Sequence, residues 1–203
     1  MKIICIGRNY VEHIKELNNI KESNPLIFLK PETAIQPKNH PFFIPDFSDD
    51  IQYELEILLK ICKLGKNIEE KFAYKYYNEI GLGIDFTARD LQNNLKTKGK
   101  PWEIAKGFDG SAKISNEFIN KNELILDDID FSLRLNNEIV QSGNSSEMIF
   151  SFDKIISHVS KFFTLKIGDI IFTGTPAGVG RIKKNDLLQG FLNRKKILEV
   201  KIK

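Results

Sequence analysis

One stretch constrains this chain more than any other. From Tyr53 to Cys62, Tyr53, Leu55, Ile57 and Leu59 alternate with Glu54, Glu56, Leu58 and Lys60. That period of two predicts a β-strand. Residues i and i+2 of a strand share a face, so Glu54 and Glu56 point the same way. The run Ile57-Leu58-Leu59 is apolar on both faces, which predicts a strand covered on both sides. Two carboxylates on one face of a buried strand repel each other and lose hydration unless a cation sits between them. A pair of metal ligands is one reading; a solvated outer face is the other.

The residue inventory limits which metal that would be. The 203 residues include only 3 histidines and 2 cysteines. That excludes a Cys-rich zinc module and a disulfide framework. A metal site must lean on carboxylates, which selects a hard divalent ion such as Mg²⁺ or Mn²⁺. The 30 basic and 27 acidic side chains leave a net charge of +3, without the clustered basic face that nucleic acid demands. Lys96, Lys98 and Lys100 come nearest to such a patch and read as a solvated loop. No apolar run approaches the roughly 20 residues needed to span a bilayer. The start, Met1-Lys2-Ile3-Ile4-Cys5-Ile6, lacks a signal peptide's long apolar region and reads as a first strand. Cys5 and Cys62 lie in mainly apolar runs and are expected as reduced thiols of a cytoplasmic protein. The length suits one domain over residues 1–203.

Strands dominate the remaining pattern. Lys2–Ile6, Leu26–Leu29, Gly81–Ile84, Ile170–Thr173, Asp186–Phe191 and Lys196–Ile202 read as strands, and Phe131–Leu135 with Glu138–Ser142 as a hairpin around Asn136-Asn137. Helical spacing marks Tyr10–Leu17, Ile68–Glu79 with Asn67 as its cap, and Ser151–Phe163 with Ile155, Ile156, Val159, Phe162 and Phe163 inward. Asp85 or Thr87 opens a further short helix through Leu95. Asn18 to Asn24 is polar and reads as mobile, and Gln36 to Asp50, with three prolines, as irregular. No βαβ rhythm repeats, so a mixed α+β, mainly β fold is expected rather than a doubly wound sheet.

Several residues can carry chemistry. Asp85 ends a glycine-rich strand, where it is either a third carboxylate ligand or a helix cap. Arg89 and Lys106 are either cations for an acidic substrate or solvated charges. His13 and Glu16, at i and i+3 on a helix, are either a general base with its orienting carboxylate or a surface pair. His40 and His158 read as a loop residue and a helix-flank residue. Gly174–Gly180 lacks the phosphate-loop pattern; it is a tight turn or a backbone cradle for an anion.

A set of motifs runs along the chain: Gly7-Arg8-Asn9-Tyr10 with His13 and Glu16; Phe28-Leu29-Lys30-Pro31; Tyr53-Glu54-Leu55-Glu56; and Asp85-Phe86-Thr87-Ala88-Arg89-Asp90-Leu91-Gln92. Lys98-Gly99-Lys100-Pro101-Trp102, Lys106-Gly107-Phe108-Asp109, Gln141-Ser142-Gly143-Asn144 and Thr173 to Gly180 complete it. In order and spacing this set resembles the fumarylacetoacetate hydrolase family, nearest its single-domain branch of acylpyruvases and oxaloacetate decarboxylases. The resemblance implies a fumarylacetoacetase C-terminal-domain-like β-roll with few helices, and a homodimer. It implies Mg²⁺ or Mn²⁺ held by Glu54, Glu56 and Asp85, with Lys106 beside metal and substrate. It implies Arg89, Gln92 and Thr175 as substrate contacts, and His13 with Glu16 as a catalytic dyad on a mobile lid at about 13–25. Tyr53 departs from the family, where some members carry histidine. The chain is also shorter than usual between Gly65 and Glu79 and near its C-terminus.

The function so implied is metal-dependent cleavage of the C–C bond of acylpyruvates to pyruvate and a carboxylic acid. Oxaloacetate decarboxylation, or tautomerisation of oxaloacetate or a 2-hydroxydienoate, is the alternative on the same metal–enolate site. A non-catalytic binding protein on the same scaffold is the reading from a different class. The expected partner is a small 2-oxo acid, with no nucleic acid and no membrane.

Overall fold

The computed structural model describes residues 1–17 and 22–203. The expected mobile stretch at about 13–25 includes residues 18–21, which lie outside the described residues. In chain order the strands are β1 (Ile3–Gly7), β2 (Leu26–Lys30), β3 (Ile51–Tyr53), β4 (Leu55–Ile61), β5 (Tyr77–Asp85), β6 (Thr87–Ala88) and β7 (Ala112–Ile114). There follow β8 (Ile119–Asn120), β9 (Asp130–Leu135), β10 (Glu138–Asn144), β11 (Ile170–Phe172), β12 (Gly180–Arg181), β13 (Leu187–Leu192) and β14 (Lys195–Lys201). The α-helices are α1 (Val11–Glu16), α2 (Arg89–Thr97), α3 (Glu103–Lys106) and α4 (Phe152–Phe162). The fold is therefore mainly β with few helices, as expected.

The largest sheet runs β2-β1-β11-β4-β5-β7, with β8 on β5. A second sheet runs β10-β9-β13-β14, and a small third one β12-β3-β6. β4 lies between β11 and β5 and is covered on both faces. Leu55, Ile57 and Leu59 join the main core, while Leu58 packs with Ile3, Cys5 and Phe172 in a second cluster. Glu54 and Glu56 share the Leu58 face, so burial, not solvent, is the fate of this carboxylate pair.

The glycines of β5 serve that packing. Gly83 stands opposite Glu56, and a Cβ there would lie 2.5 Å from the Phe172 ring and 2.9 Å from Leu58. Neither neighbour is at a surface free to yield. Gly83→Ala is expected to destabilise the protein by about 1–3 kcal/mol through overpacking. Urea unfolding measures this, and an unchanged midpoint would mean the ring has room to move.

The hairpin forms where expected: Asn136 and Asn137 both adopt positive φ, 50° and 74°, which suits a two-residue turn. α4 also forms, capped by the Ser151 side chain, but Phe162 points outward at 59% exposure. Two expectations fail. The helix over 68–79 is a six-residue 3₁₀ stretch, Glu70–Lys75, followed directly by β5. Asn67 adopts φ 51° and so cannot cap a helix, and pairing of Tyr77 with Ile61 draws the last residues into the sheet. Helix α2 starts at Arg89, with Ala88 at its cap position and no side-chain cap bond, so Asp85 and Thr87 are free for other work.

Candidate active site and metal centre

The site forms where several strand ends meet. β1 and β11 are parallel neighbours, so the turns that follow them leave the sheet at the same end. Asn9, fully buried, ties these turns together. Its Nδ2 donates to the Phe150 and Thr173 carbonyls (3.1 and 2.8 Å), and its Oδ1 accepts from the Phe150 N–H at 2.7 Å. Gly174 adopts φ +104°, and a Cβ there would sit 2.6 Å from the Asn9 Cβ, so only glycine fits. Its N–H donates to Glu56 Oε2 at 2.6 Å. The start of antiparallel β4 and the end of β5 bring Glu54, Glu56 and Asp85 to the same place, where the Asp85 N–H donates to the Glu54 carbonyl at 2.9 Å.

All three carboxylates are buried, and each offers an oxygen within 4.8 Å of the others. Lys106 Nζ bridges two of them, donating to Glu54 Oε2 (2.8 Å), Asp85 Oδ2 (2.7 Å) and Thr87 Oγ1 (2.6 Å). Arg89 donates from Nη2 to Glu54 Oε1, from Nε to Gln52 Oε1 (2.8 Å) and from Nη1 to Gln92 Oε1 (2.6 Å). Burial opposes the Glu54 charge, but Lys106 and Arg89 outweigh it and hold its carboxyl well below the usual range. Glu56 is the reverse case. Burial, then Asp85 and Glu54, push its pKa well above the usual value, and no cation pairs with it among the described residues.

Those facts test the fit of a divalent ion. Lys30 Nζ lies 2.7 Å from Asp85 Oδ1 as an ion pair, but off the direction of a hydrogen bond, so that buried oxygen keeps no hydrogen-bond partner. A carboxylate oxygen that Lys30 faces without a hydrogen bond, a carboxylate without a cation and a third within reach make an all-oxygen set that suits Mg²⁺ or Mn²⁺. The residues present fit the group.

His13, buried on α1, places Nδ1 3.1 Å from Glu16 Oε2. Glu16 Oε1 in turn accepts the Gly178 N–H at 3.0 Å. Burial holds the His13 pKa below 6.5, against the opposing pull of Glu54 and Glu16. The imidazole is therefore neutral at pH 7. The Glu16 carboxyl oxygen suits acceptance of an Nδ1 hydrogen, the tautomer that leaves Nε2 its lone pair.

Of the nine nominated residues, all but Glu16 and Asp85 line one cavity, and those two bond directly to its lining. His40 and His158 lie elsewhere, as expected. Sequence reasoning missed four contributors. Lys30, fully buried, donates to the Lys106 and Ser111 carbonyls as well as facing Asp85. Thr87 receives Lys106. Gln141 accepts from the Leu55 N–H and donates to Thr175 Oγ1, both at 2.9 Å, which fixes Thr175 at the cavity wall. Lys96, read as part of a solvated loop, instead lines the cavity with its ammonium over the Trp102 ring.

Comparison with known proteins places this geometry among relatives. The fumarylacetoacetate (FAA) hydrolase C-terminal family model matches residues 2–203. The mitochondrial oxaloacetate tautomerase FAHD1 of Bos taurus is 41% identical over 203 residues, covering 99% of this chain and 90% of that protein. Oxaloacetate tautomerase YcgM of Escherichia coli (strain K12) is 38% identical over 189 residues, covering 92% and 86%. The solved fumarylpyruvate hydrolase of Pseudomonas aeruginosa, in complex with Mn²⁺ and pyruvate, superposes with a TM-score of 0.93 at 31% identity, covering 100% of this chain and 89% of that one. Among the described residues, no helix is long and apolar enough to cross a membrane.

Proposed function

The chain belongs to the fumarylacetoacetate hydrolase family, and from that premise we propose that it is a divalent-metal-dependent oxaloacetate tautomerase. The tautomerase relatives favour this reading over acylpyruvate cleavage, which led on sequence grounds. The observation that carries it is the carboxylate trio with a neutral, carboxylate-oriented histidine on one cavity. Hydrolysis of a C–C bond is the second reading, favoured by the likeness to a fumarylpyruvate hydrolase.

In this reading Glu54, Glu56 and Asp85 hold Mg²⁺ or Mn²⁺, which when bound supplies Lewis-acid stabilisation of the enolate oxygen. Arg89, through the N–H groups it has not committed, Gln92 and Thr175 hold the carboxylate beside the keto group. Lys106, with its three N–H donors on Glu54, Asp85 and Thr87, contributes its positive charge beside the developing oxyanion. His13 Nε2 takes the enol proton and returns one to carbon 3, so no proton is consumed. Glu16 keeps the imidazole in the required tautomer. For hydrolysis the same histidine would activate water instead. The reading includes a cytoplasmic homodimer, supported by the two free thiols and the family resemblance; light scattering tests the dimer.

His13→Gln is expected to lower kcat for enol-to-keto conversion by about 100-fold or more. Mn²⁺ affinity, read by titration, is expected to stay unchanged. Activity at the wild-type rate would remove His13 from the mechanism. The pH profile checks the same residue. A base with a depressed pKa stays neutral further into acid than a free imidazole, so the acid limb of kcat/KM is expected below the ordinary histidine range.

A further inference from the structure

Among the described residues, four Lys or Arg side chains line the cavity, and they differ in what they already hold. Lys106 spends its donors on Glu54, Asp85 and Thr87, and Arg89 commits three of its N–H groups. Arg8 and Lys96 do not. Among the described residues, Arg8 Nε is buried without a hydrogen-bond partner, and Nη1 donates to Glu22 Oε1 at 2.5 Å. Lys96 is half-buried and has no ion pair or hydrogen bond among the described residues. Burial first, then Arg89 and Arg8, push its pKa down to about 8 against the pull of Glu54. An unpaired, partly desolvated ammonium beside a guanidinium is a cost that an anionic ligand relieves.

The backbone adds a second observation. Arg8 adopts φ 61°, a left-handed conformation that costs a non-glycine residue roughly 1–3 kcal/mol. The buried Asn9 network holds the elbow between β1 and α1 in that shape. That elbow carries a long cationic side chain to the cavity wall, where Arg8 is one of the lining residues.

We propose that Arg8 and Lys96 form a second anion subsite of this cavity, which takes the distal carboxylate of a 2-oxo or 2-hydroxy dicarboxylate. The inference rests on the tautomerase reading for the reaction served, but the subsite itself is a matter of binding. Selection of a dicarboxylate over a monocarboxylate then follows from two cations with donors to spare.

Calorimetric titration of the Mn²⁺-loaded protein with malate and with pyruvate tests this. Wild type is expected to prefer malate. Arg8→Met and Lys96→Met are each expected to weaken malate binding by about 20-fold, the scale of one charge-assisted hydrogen bond. Pyruvate binding is expected to stay the same in both. Lys96 lies on a surface helix that tolerates methionine, so it serves if Arg8→Met does not fold. Equal loss of both ligands, no loss of malate, or no preference in wild type would each overturn the subsite. Malate selection that depends on Arg8 and Lys96, in a protein that does not convert enol-oxaloacetate, would keep the subsite and reject the tautomerase reading. Conversion without that selection would do the reverse.

Discussion

Replacing Glu56 with glutamine is expected to abolish divalent-metal binding, with at least a 100-fold loss of Mn²⁺ affinity, the scale of losing one charged ligand from an all-carboxylate set. The same change is expected to leave the metal-free protein no less stable. Two signs distinguish this from ordinary damage. Glu56 is a buried carboxylate with no cationic partner among the described residues, and its neighbours Asp85 and Glu54 both disfavour its charge. An amide of the same shape removes that repulsion, and its oxygen still accepts the Gly174 N–H. A structural carboxylate would behave in the opposite way: its loss would cost stability and leave a Mn²⁺ titration untouched. The paired measurements are a metal titration and a chemical unfolding curve in EDTA.

Lys106→Met carries the second large effect. Lys106 is buried and donates to two carboxylates and a hydroxyl. Its removal is expected to destabilise the metal-free protein by about 3 kcal/mol, the low end for breaking a buried ion pair. The low end applies because Arg89 still faces Glu54 and Lys30 still faces Asp85. Saturating Mn²⁺ is expected to restore much of the loss, since an ion at about 100 times its Kd adds about 2.7 kcal/mol. Catalysis is not expected to recover, because the developing oxyanion loses the ammonium charge beside it. Thermal unfolding with and without Mn²⁺ checks the first claim. A variant as stable as wild type in EDTA would show that Lys106 is not holding the acidic cluster together.

Much of this site was legible in the sequence because strand periodicity is a local property. Glu54 and Glu56 share a face by the period of two, and the apolar run after them predicted their burial, which the second core cluster around Leu58 supplies. Asp85 was placed at a strand end by its glycine-rich lead-in. The His13–Glu16 pair followed from helical spacing alone. What stayed hidden depends on partners far along the chain. Lys30 looks like any lysine after an apolar strand until β2 carries it beneath Asp85. Gln141 gains its meaning only where β10 passes the Thr175 turn. Lys96 reads as a solvated charge because its polar helix α2 says nothing about the cavity beside it. The failed helix over 68–79 has the same origin. Its apolar spacing is real, but the spacing is met by a 3₁₀ turn packed on α4 and by a strand pairing that begins at Tyr77.

The same distinction governs function. A 2-oxo acid, a divalent ion and a proton carrier serve tautomerisation, decarboxylation and C–C hydrolysis alike, so residues alone name the constellation and not the reaction. The relatives weight the choice toward oxaloacetate tautomerisation, and the uncommitted donors of Arg8 and Lys96 weight it toward a dicarboxylate.

The most direct measurement is the decay of enol-oxaloacetate absorbance under the purified protein, with Mg²⁺ or Mn²⁺ and again after EDTA, beside the same assay with acetylpyruvate. The account predicts metal-dependent acceleration of the enol-to-keto conversion, lost in EDTA and in Glu56→Gln, with acetylpyruvate cleaved slowly or not at all. Rapid metal-dependent cleavage of acetylpyruvate with no acceleration of enol-oxaloacetate decay would contradict it.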